Sequence, residues 1–120
     1  MLLNNFYTIT DFQKLELGVT ALIKIYPTHE IFKGHFPNQP VVPGVCMVQI
    51  VKELMEQALQ QSLFLKEGSQ LKFLQLLVPN NDDTIHVSIQ YKMIDTSYTF
   101  NASFHKDDVA VFKMNGVVRL

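Results

Sequence analysis

Only one stretch of this chain is long and regular enough to form a helix of several turns, and that limits what the remainder can build. Between residues 45 and 61 there is neither Gly nor Pro. Met47, Val48, Val51, Leu54, Met55 and Ala58 recur on one stripe at helical spacing, while Gln49, Glu53, Glu56 and Gln60 line the other side. The pattern predicts an amphipathic helix of about four turns, roughly 25 Å long.

The segments around it read as strands. KLELGVTALIKIY (14–26) contains alternating stretches of Leu, Val and Ile, and residues 30–32 suit a short strand. Gly68 and Ser69 are read as closing a linker after the helix. LKFLQLLV (71–78), TIHVSIQYKMI (84–94), SYTFNASFHK (97–106) and VAVFKMNGVVRL (109–120) follow, separated by short breaks. One long helix followed by consecutive antiparallel strands predicts an α+β domain, a single one over residues 1–120, with the helix packed on one sheet. A lone helix cannot cover both faces of such a sheet. Phe100, Phe104, Val111 and Phe112 are therefore expected to need a second subunit, paired across a two-fold axis.

Composition excludes several function classes. Ten Lys plus Arg against eleven Asp plus Glu gives a net charge of −1, which does not support a nucleic-acid partner. Cys46 is the sole cysteine, so there is no internal disulfide or multi-cysteine metal site; we expect a small buried apolar group there. His29, His86 and His105 lack partners at metal-ligand spacing and read as structural, so no metal is expected. The N-terminus has no basic region followed by a long apolar run, and no stretch approaches the roughly 20 apolar residues that span a bilayer. A cytoplasmic protein is the expectation.

The chemistry gathers ahead of the helix. GHFPNQPVVPG (34–44) holds three of the five prolines and two of the five glycines in eleven positions. Pro40 and Pro43 fix their own φ and bias Gln39 and Val42 towards extended backbone. Gly44 stands at the predicted helix start, and its N–H and that of Val45 belong to the unpaired first turn. Such donors carry partial positive charge and suit an oxyanion or a polarised carbonyl. His35 lies nine residues earlier, close enough in sequence to fold back over the same spot as a general base. For Gly44, Gln49 and Glu53 plainer readings also hold: a turn glycine and two members of a solvated helix face.

GHFPNQPVVPGV resembles the active-site signature of the β-hydroxyacyl-acyl-carrier-protein dehydratases of the hotdog fold, in which an antiparallel sheet wraps around one long central helix. LKFLQLLVPNNDDTIHVSIQY resembles that family's strand, Pro-containing turn and following strand, and the likeness runs from Lys14 onward. The resemblance implies that His35 removes the proton alpha to a thioester and that the Gly44 N–H polarises the carbonyl. It also implies that a helix carboxylate from a partner subunit protonates the departing β-hydroxyl. Here the chain departs from the family: fourteen residues after the histidine stands Gln49, and the carboxylate, Glu53, follows one turn later. Phe32 and Phe36 are candidates for lining an acyl tunnel, with Pro43 and Val45 as further substrate contacts. No cofactor is implied beyond the phosphopantetheine of acyl carrier protein or coenzyme A. The partners implied are a second copy and an acyl carrier protein, with Lys33 and Lys52 as its electrostatic footprint. Two other readings stay open: a non-catalytic acyl-binding or heterodimer-partner subunit, and a hotdog thioesterase.

Overall fold

The computed structural model describes residues 2–34, 40–80 and 82–120. Six strands and one long helix account for most of them. The strands are β1 (Tyr7–Leu15), β2 (Gly18–Ile25), β3 (Phe64–Phe73), β4 (Ile85–Ile94), β5 (Ser97–Lys106) and β6 (Val109–Arg119). The helices are α1 (Ile31–Gly34) and α2 (Gly44–Leu59). All strands join one antiparallel sheet in the order β1-β2-β4-β5-β6-β3. α2 packs on one face of it, which is the hotdog arrangement.

Period-two patterning builds the core. Val19, Ala21, Ile23 and Ile25 on β2 are buried, as are Ile85, Val87, Ile89 and Tyr91 on β4 and Phe100, Ala102 and Phe104 on β5. α2 answers with Cys46, Met47, Ile50, Val51, Leu54, Met55 and Ala58. Its first turn begins after Pro43, whose extended φ of −64° and ψ of 143° suit an N-cap, and it ends on Gln60 in the left-handed region at φ 55°.

Four expectations need correction. The predicted strand 14–26 is two strands, because the chain reverses at Glu16 and Leu17 and β1 extends back to Tyr7. Gly18 begins β2 where its backbone runs so close to the Ile89 carbonyl that a Cβ would collide with it. Residues 30–32 enter a short helix, with Phe32 turned into the core against Phe6 at 5.5 Å. The strand placed at 71–78 lies earlier, at Phe64–Phe73, so Gly68 and Ser69 sit within it. β3 is an edge strand exposed along all ten residues, and therefore it carries no alternating apolar signature.

The fourth correction moves the uncovered apolar surface. Phe100, Phe104, Val111 and Phe112 are all buried within the chain's own core. The largest run of exposed apolar residues lies on β3 and just beyond it: Phe64, Leu65, Leu71, Phe73, Leu74 and Leu76, the last at 71%. The segment after β3 is nonetheless anchored. Leu77 is buried, and its carbonyl accepts the Val42 N–H at 2.8 Å, tying the end of the Pro-rich loop to the sheet edge.

Candidate functional site

The site is built around the first two turns of α2. Pro43 supplies the carbonyl that accepts from the N–H groups of Cys46 (3.0 Å) and Met47 (3.3 Å). The Gly44 and Val45 N–H groups are the orphan donors that a helix start leaves, and neither has a partner among the described residues. A Cβ on Gly44 would lie 2.6 Å from the Phe73 ring, so the glycine lets β3 close over the helix start. Val45, at 74% exposure, points away from the core, and Gln49 follows it one turn along the same face.

Glu53 is the decisive side chain. It is 2% exposed and is the single buried charged residue among those described. Four donors converge on it. Oε1 accepts from the Leu3 N–H at 2.9 Å and the Tyr7 hydroxyl at 3.2 Å; Oε2 accepts from the Leu2 N–H and from Gln49 Nε2, each at 2.8 Å. A buried carboxylate is tolerated when donors satisfy its oxygens in this way. The expectation that Glu53 lies on a solvated helix face therefore fails. The sequence held a signal for this: Glu53 is seven residues after Cys46 and three after Ile50, both buried, which puts it inside the apolar stripe.

This network fixes the chemistry available on α2. Gln49 gives its N–H to Glu53 and so presents Oε1 as an acceptor. An amide cannot release a titrating proton. Tyr7, which sequence reasoning missed, is fully buried, and burial together with the Glu53 carboxylate holds its hydroxyl far above the ordinary tyrosine range. It is a donor to Glu53, not an acid for a substrate. Burial likewise pushes the Cys46 thiol up, the opposite of what a nucleophile requires.

The remaining candidates sort by position. His35 and Phe36 lie outside the described residues. Phe32 belongs to the core cluster. His29 Nδ1 accepts the Ile31 N–H at 3.1 Å, and no group of three or more His, Cys, Asp or Glu gathers among the described residues. Lys52 is engaged with Glu56 at 3.5 Å, which leaves Lys33 of the two proposed docking lysines. No described helix is long and apolar enough to cross a membrane.

Comparison with known proteins places the chain in a family. The family model for ApeI-like proteins, the ApeI dehydratases, matches residues 12–114. The chain belongs to the ApeI-like family. Among curated relatives of this ApeI-like chain, a 3-hydroxyacyl-acyl-carrier-protein dehydratase FabZ of Ehrlichia ruminantium is 28% identical over 88 residues. That match covers 66% of the chain and 61% of the relative, so the chain spans less than two thirds of that relative's length. Among solved structures, the dehydratase heterocomplex ApeI:P from Xenorhabdus doucetiae shares the fold at a TM-score of 0.75 and 22% identity, covering 92% of this chain and 96% of that one. A hypothetical thioesterase protein with coenzyme A from Streptococcus pneumoniae has a TM-score of 0.68 at 11% identity, over 99% of this chain and 91% of that one. Likeness at those identities carries the fold alone.

Proposed function

We propose that this chain, as one domain over residues 1–120, binds a 3-hydroxyacyl thioester at the start of α2 and dehydrates it to the trans-2-enoyl thioester. The observation that carries the reading is the pair of N–H groups on Gly44 and Val45, without a partner among the described residues, at the helix start of an ApeI-like chain. They would hold the thioester oxygen as negative charge builds on it. His35 removes the α-proton, the C–O bond to the β-hydroxyl breaks, and the same imidazolium returns the proton so that water leaves. Gln49 Oε1 accepts the hydrogen of the β-hydroxyl and orients it. Pro43 and Val45, with Phe36, would contact the acyl thioester. The acyl group would arrive on the phosphopantetheine of acyl carrier protein or coenzyme A, in cytoplasmic fatty-acid or polyene synthesis, with no other cofactor. His35 acting first as base and then as acid would thus supply, without a carboxylate, the general-acid assistance that is typically worth about 10²–10⁴-fold.

A homodimer joined along β3 is part of this proposal. The exposed apolar residues on that edge, and the row of unpaired backbone groups any edge strand presents, suit pairing with a second chain. One observation favours a second reading, a heterodimer in which a homologous subunit supplies the acid: Glu53 is held by the chain's own N-terminal segment. No observation favours thioester hydrolysis. The test is hydration–dehydration exchange on a 3-hydroxyacyl thioester with the purified chain alone, comparing wild type with His35→Ala. Exchange abolished by His35→Ala supports the first reading. No exchange above the His35→Ala background leaves the heterodimer reading in its place.

A further inference from the structure

The outer face of the sheet, away from α2, carries a feature that dehydration does not use. In register across four strands lie Lys72 on β3, Lys113 on β6, Ser103 on β5 and Ser88 on β4. All four line one cavity of about 340 Å³. Lysines directly opposite each other on neighbouring strands repel, and a sheet usually avoids the arrangement. Here neither lysine has a carboxylate within 4.0 Å among the described residues, where the ion pairs are Lys52–Glu56 and Lys106–Asp83. His105 borders the same cavity, and its Nδ1 is buried without a hydrogen-bond partner. A buried polar atom left unsatisfied in this way commonly marks the place of a water or an ion.

We infer that this row binds a compact oxyanion of the phosphate type. Two ammonium groups and two hydroxyls offer donors along one line, and an anion seated between the lysines would turn their repulsion into attraction. The surroundings set the size of the ligand. Beyond the Gln90, Asn101 and Asn115 carboxamides, the face opens into a second cavity bordered by Glu16 and Glu67. A nucleic-acid backbone extending across the face would run into those carboxylates, whereas a single phosphate or phosphate monoester would not.

The experiment is a titration of the full chain with inorganic phosphate, followed by amide resonances, with sodium chloride at matched ionic strength as control. The expected result is saturable shifts at residues 72, 103 and 113 with phosphate and none with chloride. Lys72→Gln/Lys113→Gln should weaken binding at least tenfold, and without phosphate should melt no lower than wild type, since it removes a repulsion. A parallel titration with glycerol 3-phosphate separates the two sources of the anion: tighter binding assigns a phosphate ester, equal binding the free ion. Shifts that follow ionic strength alone, no saturable shifts, or an affinity unchanged in the double variant would each overturn the inference. No turnover is measured, so the outcome is independent of the dehydratase reading.

Discussion

Glu53→Gln separates a structural carboxylate from a catalytic one. The substitution keeps the shape of the side chain but exchanges one of its two acceptor oxygens for an N–H₂ group. Whichever way the amide turns, two of the four donors that converge on Glu53 would then face a donor. Turned one way, the Leu2 N–H and the Gln49 amide are affected; the first can reach water and the second can rotate. Turned the other way, the Leu3 N–H and the fully buried Tyr7 hydroxyl lose their acceptor. A buried donor left unpaired costs about 1–3 kcal/mol, so the second orientation is disfavoured and the variant, held in the first, should lose roughly 1–2 kcal/mol. Against a domain stability of about 5–15 kcal/mol the change is readily measured as a lower urea midpoint with an unchanged slope. Tyr7→Phe in the same background should couple to it by about 0.5–3 kcal/mol, because the two groups share a bond. A Glu53→Gln midpoint within error of wild type, accompanied by lost turnover, would refute the structural assignment and return Glu53 to the reaction.

Gly44→Pro removes one donor from the proposed carbonyl site at a position where proline is compatible with a helix start and where Pro43 already has the extended ψ that a following proline needs. In a Phe73→Ala background, which clears the ring from the new Cβ, exchange should fall about 10²-fold relative to Gly44→Ala while the circular dichroism stays unchanged. The raised Tyr7 hydroxyl predicts alkaline sensitivity: the folded state keeps the proton that the unfolded chain gives up above about pH 10, so stability should fall there by up to about 1.4 kcal/mol per pH unit. Tyr7→Phe should flatten that fall in urea titrations between neutral and alkaline pH. The apolar edge predicts association at micromolar concentration by light scattering, and Leu74→Asp/Leu76→Asp should shift the population to monomer; a wild-type chain that stays monomeric would remove the shared-edge proposal.

What could be read in advance followed from periodicity, and what could not followed from its absence. α2, β4, β5 and β6 were visible because each has one buried face, so their apolar residues repeat at 3.6 or 2.0. β3 has no buried face, and its first seven residues, FLKEGSQ, read as linker until their pairing with β6 is known. β1 was lost for a related reason: of its nine residues only Tyr7 is buried. At the candidate site, the place of Gly44 at the helix start was legible because it follows Pro43 at the head of an apolar stripe. For Glu53 the spacing from Cys46 and Ile50 hinted at burial, but three of its four donors, on Leu2, Leu3 and Tyr7, lie some fifty residues away, at a separation that no local pattern encodes.

The exposed edge has a consequence for how such a site would switch on. Phe73, the last residue of β3, sits over Gly44, and Leu77, just beyond that strand, holds Val42 at the end of the Pro-rich loop. The strand that would meet a neighbour and the donors that would meet a substrate are thus joined through two short connections. An edge strand with no neighbour frays more readily than the interior of a sheet. Diluting the protein would therefore erode specific activity before it lowered the melting temperature of the core, and an excess of a matching subunit would restore it.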